Sequence, residues 1–499
     1  MNGPMGGQAD GSRPAGSGRR GRSGRGTGGW RRLRPLVGLL TAAAVSQAGT
    51  RVSAIALPWF VLVTTGSAAQ TGLVAFCEMA PYVLIKALTG PLVDRAGARV
   101  ISWTADVVSA AVAAAVPALH ALDLLDFWLL LVLVAVIGGA RGPGDLAKEV
   151  MIPEAAARSA MPIERATGLL GVVERLAATV GPGLGGVLVA VLGPLAGLLV
   201  NAATFALGSV LVGLALPRGM GGAADGTGTA HGGEAAASGA AAAAAAGAEA
   251  GYWRRFAEGF TYLRGQPLLL IIICTVGFTN FLDAARNSVL MPIWARETGH
   301  GPSAIGLMAS AAGLTAVAGS LVAAVVAHRL RRRQVFFAGF LVSGAPKFVI
   351  LAVDVPVWVV VAVYAVSGFG SGFLNPILGA VIWERIPRRL LGRVGALGDS
   401  LAWAGIPLGG LLAGAAVVWA GLVPVLAVSG AAYFLATNLA GLRHEWRELD
   451  REAGTGPAPP EPPAGPRPPA GPPAPYPDGP PVPHPAHDPP RPRPDRLEA

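Results

Sequence analysis

The sequence predicts an all-α membrane protein: twelve transmembrane helices arranged as two six-helix halves. Three observations predict this. Of 499 residues, 52% are hydrophobic and only 14% charged, whereas a soluble domain carries about 25% charged residues. The apolar residues are gathered into long runs: Ala121–Ala140 holds only Asp123 and Asp126, and Leu268–Asn280 and Ile305–Ala327 hold no charge. About 20 such residues cross a hydrocarbon core as a helix, and in lipid the backbone has to satisfy its own hydrogen bonds. The third observation is an internal repeat, described below.

In chain order, residues 1–34 are Gly/Ser/Arg-rich with no apolar core. A disordered basic tail is expected there, and no cleavable signal peptide. Spans 1 to 6 are expected near 35–63, 69–90, 99–120, 126–146, 168–191 and 194–216, making an N-terminal half over 35–216. Gly193-Pro194 marks the turn between spans 5 and 6. Residues 217–266 form a Gly/Ala-rich linker. It ends in an amphipathic stretch, Tyr252 to Arg264, expected to lie on the inner membrane surface. Spans 7 to 12 follow near 267–294, 303–328, 334–353, 356–379, 395–420 and 422–442, a C-terminal half over 267–442. Residues 443–499 turn charged and then Pro-rich, and a disordered tail is expected.

Charge bias sets the expected orientation. The loops on the N-terminal side hold Arg95 and Arg99; Lys148, Arg158 and Arg165; Arg329 and Arg331 to Arg333; and Arg385, Arg388, Arg389 and Arg393. The opposite loops hold only Arg296. Basic loops stay inside, so both termini are expected in the cytoplasm and the protein in the cytoplasmic (inner) membrane. The same rule accounts for the formal charge of +10 without a nucleic-acid partner.

The repeat ties the halves together. Ala56-Leu57-Pro58 is followed 14 residues after the proline by Gly72-Leu73-Val74-Ala75; Leu290-Met291-Pro292 is followed at the same distance by Gly306-Leu307-Met308-Ala309. Asp94-Arg95 and Arg99 then align with His328-Arg329 and Arg333, and Leu184-Gly185-Gly186 echoes Leu408-Gly409-Gly410. Two parallel halves suit alternating access around a site at their interface.

The loop after span 2 reads Gly90-Pro91-Leu92-Val93-Asp94-Arg95-Ala96-Gly97-Ala98-Arg99. It resembles the Gly-x-Leu-Ala-Asp-Arg-x-Gly-Arg-Lys loop of the major facilitator superfamily. Gly90, Leu92, Asp94, Arg95 and Gly97 match, and Arg99 stands at a basic position. The resemblance implies the major facilitator fold and a conformational latch at Gly90, Asp94, Arg95, Gly97 and Arg99. Gly168, Gly181-Pro182 and Gly185-Gly186 in span 5 follow the spacing of a glycine motif frequent in that superfamily's drug exporters, with Ala177 at one glycine position. Ordinary small-residue helix packing is the alternative reading. Residues 35–442 as a whole resemble the macrolide-efflux and enterobactin-exporter branch, through Ala56-Leu57-Pro58-Trp59, Thr65-Gly66-Ser67, Ala105-Asp106, Glu384-Arg385-Ile386-Pro387 and Gly392-Arg393-Val394. It implies a monomer.

Ionisable residues inside a membrane are costly and mark functional sites. Arg51 in span 1 and Glu78 in span 2 fall at similar depth and are expected to pair, either as a structural link or as a proton or cation site. Asn280, Asp283, Arg286 and Asn287 fall at matching depth in span 7. Asp283 is the leading proton-coupling candidate, with local pairing to Arg286 as the alternative. Lys86 is expected to snorkel to the cytoplasm, and Lys347 to snorkel or to meet a carboxylate not identified from sequence. Arg141, Asp145, Lys148 and Glu149 are expected at the inner end of span 4.

The sequence excludes several classes. It has no Gly-x4-Gly-Lys-Ser/Thr phosphate loop. Two cysteines, Cys77 and Cys274, and seven scattered histidines offer no metal site. No enzyme, metal or cofactor is expected. The expected function is proton-driven export of a small amphipathic compound, with the proton gradient as energy source and the lipid bilayer and the substrate as partners. Proton-coupled import and a non-transporting scaffold or sensor are the alternatives.

Overall fold

The computed structural model describes residues 27–221, 260–326, 332–387 and 390–442. Among them are twelve helices long and apolar enough to cross a membrane, and no strand. The spans run Arg32–Thr65, Ala68–Leu88, Ala98–Ala121, Phe127–Arg158, Ile163–Leu192 and Pro194–Ala215 in the first half. In the second they run Pro267–Glu297, Gly301–Val326, Arg333–Ala352, Val357–Leu374, Leu397–Ala420 and Leu422–Leu439. Residues 1–26 of the expected tail 1–34, all of the expected tail 443–499 and most of the linker lie outside the described residues, whereas residues 27–34 are helical and begin the first helix, Thr27–Thr65. Large apolar side chains such as Trp128, Leu184, Val191 and Trp419 are exposed. On a chain with this span pattern that surface faces lipid rather than water.

Local signals explain the boundaries. Ser67 caps span 2 by accepting from the Gln70 amide at 3.3 Å. Gly97, at φ 84°, turns the chain between a short helix, Gly90–Ala96, and span 3.

Four helices differ from expectation. Span 4 continues twelve residues past 146, to Arg158. Its extension is apolar on one side, and Ala147, Met151, Ile152 and Ala155 are buried there. Lys148 therefore lies inside the bundle instead of in a loop. Span 9 breaks after Ser343, where Gly344 and Pro346 interrupt the ladder, and resumes as Pro346–Val349 and a 3-10 turn. Span 11 is two helices joined at Gly405. Span 7 contains a π-turn at Arg286–Leu290. The end of the expected surface helix is also placed differently. Residues 260–264 are helical, but Leu263 is buried and the Tyr262 hydroxyl donates to the Arg385 carbonyl at 2.6 Å.

The two halves meet through glycines. A Cβ on Gly72 (span 2) would lie 2.4 Å from the Gly410 carbonyl oxygen (span 11). A Cβ on Gly306 (span 8) would lie 2.5 Å from the Pro182 carbonyl oxygen and 2.9 Å from the Gly186 Cα (span 5). No side chain fits in either gap, so the backbones approach as closely as small residues permit. Gly72 aligns with Gly306 in the repeat, and Gly186 with Gly410. The two contacts are thus the same contact made twice, once on each side of a pseudo-two-fold axis. Both lie toward the end of the bundle that carries the span 1–2 turn.

Candidate functional site

A cavity of about 520 Å³ lies between the halves. Its inner wall includes Pro58, Ala75 and Gly410, next to the glycine contacts. Toward the opposite end it is lined by Lys86, Glu149, Glu174 and Trp403. Lys86 and Glu149 keep 28% and 47% of their side-chain surface exposed, which marks the mouth. The molecule is closed where the glycines meet and open toward the loops between spans 2 and 3 and spans 4 and 5.

The first half supplies the charges. Span 4 carries Gly138 and Gly142, and a Cβ on either would lie 2.0 or 2.8 Å from a carbonyl oxygen of span 2, Glu78 or Tyr82. This close approach sets Arg141 against Glu78: its Nη1 donates to Glu78 Oε1 at 2.9 Å, with only 11% and 14% of the two side chains exposed. Arg141 Nε lies 4.0 Å from Asp145. The Tyr82 hydroxyl donates to Asp145 Oδ2 at 3.4 Å, and the Arg141 guanidinium lies 4.6 Å from the Tyr82 ring centre. Trp403, from the second half, stacks with that ring at 6.4 Å and 29°. Lys86 pairs with Glu149 at 3.3 Å and sits 5.9 Å from the same tyrosine. The cavity thus combines ion pairs with an aromatic pair drawn from both halves, an amphipathic lining. Its ionisable side chains are three cations, Arg51, Lys86 and Arg141, against four carboxylates, Glu78, Asp145, Glu149 and Glu174.

The expected pairing of Arg51 with Glu78 is not made: Arg141 takes the carboxylate. Arg51 still lines the cavity, and its Nε has no hydrogen-bond partner. Its stem packs on span 5, where a Cβ on Gly181 would come within 2.7 Å of the Arg51 Cβ. Arg141 is accordingly a cavity residue rather than one at a helix end. Lys86 is ion-paired at the mouth. Buried Lys148 bonds Asp106 at 2.8 Å and Ser46 at 3.0 Å, a link among spans 1, 3 and 4.

Span 7 divides its polar residues. Ala284, Asn287 and Ser288 line the cavity. Asn280 donates to the Ala402 carbonyl at 3.0 Å. Asp283 and Arg286 pair with each other at 2.9 Å and turn into the second half, where Lys347 approaches Asp283 at 3.5 Å. Asp283 is the carboxylate that meets Lys347.

The latch loop and the span-5 glycines are also placed. Gly90 opens the short helix Gly90–Ala96, and the side chain of Asp94 falls outside what is described. Arg95 is exposed. Arg99 donates to the Gly213 and Leu216 carbonyls at 2.8 and 3.1 Å, tying span 3 to the end of span 6 within its own half. Gly185 faces span 1, as Gly181 does, and Gly186 and Pro182 face span 8. A Cβ on Gly168 would meet no atom of another element within 4 Å.

Sequence reasoning missed the pairing of Arg141 with Glu78 and the stacking of Tyr82 on Trp403. A signal for the first was present: Gly138 and Gly142, four residues apart, bracket Arg141. The second pairs distant helices and has no local signal.

The family model of the Major Facilitator Superfamily matches residues 39–286 and 273–475. The chain belongs to the Major Facilitator Superfamily. As a member it is similar over 398 residues to the multidrug efflux pump Tap of Mycobacterium tuberculosis, at 33% identity, covering 78% of this chain and 88% of that protein. The multidrug efflux pump Tap of Mycolicibacterium fortuitum is 29% identical over 412 residues, 80% and 95% of the two chains. Among solved structures, the nucleoside transporter NupG superposes with a TM-score of 0.63 at 13% identity, covering 83% of this chain and 99% of that one. A POT family transporter superposes at 0.59, with 12% identity and coverage of 84% and 96%. These two show the shared fold. With its twelve apolar helices, this superfamily member is a multi-pass membrane protein.

Proposed function

We propose that this chain is a secondary transporter, not an enzyme, that exports a small amphipathic compound in exchange for protons. The cavity between the halves carries this reading: it joins an aromatic pair to a network of ion pairs at the boundary that must move in alternating access. The similarity to multidrug efflux pumps supports the outward direction. On the charge bias of its loops we place the protein in the cytoplasmic membrane with both termini inside, and on its resemblance to the superfamily we take it as a monomer. The cavity mouth then faces the cytoplasm, the side from which an exporter loads.

Asp283 stands outside the cavity, so the exchange of proton for substrate is assigned to Glu78. Its carboxylate is held by Arg141 inside the cavity. Protonation of Glu78 releases Arg141, and a bound compound that competes for either partner is linked to that step. The latch role of Asp94 is kept as part of this proposal; Asp94→Asn is expected to slow turnover without unfolding the protein. The test is ethidium movement in everted vesicles with an imposed pH gradient. The wild type should concentrate ethidium and dissipate it when the gradient collapses; Glu78→Gln should bind ethidium but not respond to the gradient. Loss of ethidium from loaded vesicles on the same gradient would indicate import. No movement of ethidium or of a panel of other cationic and neutral drugs would overturn the transport reading.

A further inference from the structure

The second half contains an ionic cluster that the cavity does not use. Asp283 and Arg286 come from span 7 and Lys347 from the broken middle of span 9. Tyr364 of span 10 and Tyr433 of span 12 complete its walls: the Arg286 guanidinium lies 5.5 Å from the ring centres of both Phe348 and Tyr364, and Tyr433 packs on Phe348 at 5.9 Å. The side chains of Arg286 and Lys347 are only 6% and 14% exposed.

Two formal cations here share one carboxylate, and they share one atom of it. Arg286 Nη2 lies 2.9 Å from Asp283 Oδ1, and Lys347 Nζ lies 3.5 Å from the same oxygen. Nη2 also donates to Asn287 Oδ1 at 3.0 Å. Nε and Nη1 of the same buried guanidinium have no hydrogen-bond partner, and Asp283 Oδ1, though ion-paired, accepts no hydrogen bond either. The Tyr364 hydroxyl donates to the Lys347 carbonyl at 3.5 Å and stands beside the Arg286 guanidinium as a neutral group. The cluster therefore has more donors than acceptors and one formal positive charge in excess. Both deficits are unfavourable in a buried site, and one small anion removes both. Loss of the lysine proton would correct the charge and still leave Nε and Nη1 bare.

We propose that Arg286 and Lys347 form a binding site for a monovalent inorganic anion of chloride size within the second half. Its occupancy is felt at the transport cavity, because Arg286 holds the side chain of Asn287 and Asn287 lines that cavity. The π-turn that begins at Arg286 lets adjacent residues serve the two places. The proposal does not depend on what the cavity carries.

The test is thermal unfolding of the full-length purified protein at constant ionic strength, with gluconate replaced stepwise by chloride. A saturating rise in Tm is expected, as for any ligand that binds only the folded state. Lys347→Met keeps the Asp283–Arg286 pair and removes the excess charge. It should melt higher than the wild type in gluconate and lose the chloride response. A Tm independent of chloride in the wild type, or a chloride response that survives in Lys347→Met, would overturn the assignment. If acetate stabilises and chloride does not, the site takes an organic carboxylate and the inorganic-anion assignment fails. Bromide in place of chloride should give an anomalous diffraction peak beside Arg286 in crystals of the protein; a peak elsewhere alone would also reject it.

Discussion

Glu78→Ala tests the ion pair at the centre of the cavity. The change leaves Arg141 with 11% of its side chain exposed and no carboxylate closer than Asp145, 4.0 Å away. Stranding one member of a buried pair costs about 3–5 kcal/mol. Asp145 offsets part of this, so about 3 kcal/mol is expected. Arg141→Met strands Glu78 instead, at a comparable cost of about 3 kcal/mol. When both changes are combined, the only charge that loses a partner is Asp145, which keeps the Tyr82 hydroxyl as donor. The double variant should be more stable than the sum of the singles predicts, by about 2–3 kcal/mol, the upper range for residues in direct contact. The assay is a double-mutant cycle by reversible denaturant unfolding in detergent, with the 2.9 Å contact as the quantity under test. Additivity within about 0.5 kcal/mol would show that the two side chains are not coupled. The role given to Glu78 in proton exchange would then lose its structural basis.

Three further outcomes are expected. Gly306→Val places its Cβ 2.5 Å from the Pro182 carbonyl, and such overpacking costs about 1–3 kcal/mol; cross-linking of cysteines introduced near Gly186 and Gly306 should report the halves separating at that end. Tyr82→Ala removes the ring that contacts both Arg141 and Trp403 and should weaken ethidium binding about tenfold, at roughly 1.4 kcal/mol per decade, whereas Tyr82→Phe should retain most of it in a fluorescence titration. Lys148→Met leaves Asp106 buried at 2% exposure without its 2.8 Å partner and should destabilise the fold by about 3–5 kcal/mol in a thermal melt, with Asp106→Leu added to it restoring much of the loss.

Much of the fold was legible because its main signals are local. Spans appear wherever about 20 residues avoid charge, and the glycine turn at Gly193 separates spans 5 and 6. Interruptions were less visible. Gly344 and Pro346 break span 9 inside an apolar run that reads as continuous. The π-turn in span 7 leaves no mark in hydropathy. The site was legible by residue type and only partly by partner. Arg51, Glu78 and Asn287 do line the cavity. Depth along a helix can be counted from sequence, but the direction of a side chain around the axis depends on packing. Arg51 and Glu78 lie at similar depth, yet span 4 approaches span 2 closely enough at Gly138 for Arg141 to reach Glu78 first.

The same geometry explains why a duplicated chain does not carry duplicated charges in its cavity. Measured from the repeat prolines Pro58 and Pro292, Thr50 aligns with Ala284 and Ala54 with Ser288. All four line the cavity, so spans 1 and 7 present equivalent faces. The counterpart of Arg51 is Ala285, and Arg286 stands one position later. One residue is about 100° around a helix with 3.6 residues per turn. That offset turns Arg286 from the cavity into its own bundle, where it meets Asp283 and Lys347. The closed-end contacts cannot diverge in this way, because Gly72 against Gly410 and Gly186 against Gly306 leave no side chain to redirect. Backbone symmetry is therefore kept where the halves touch, and chemical asymmetry is free to develop in the cavity wall. Restoring symmetry is a direct check: Ala285→Arg combined with Arg286→Ala moves the guanidinium to the Arg51 register. It should place a fourth cation in the cavity and so weaken ethidium binding, read by the same fluorescence titration, while stranding Asp283 with Lys347 alone. Unchanged ethidium affinity in a folded double variant would mean that residue 285 does not share the cavity-facing register of Arg51.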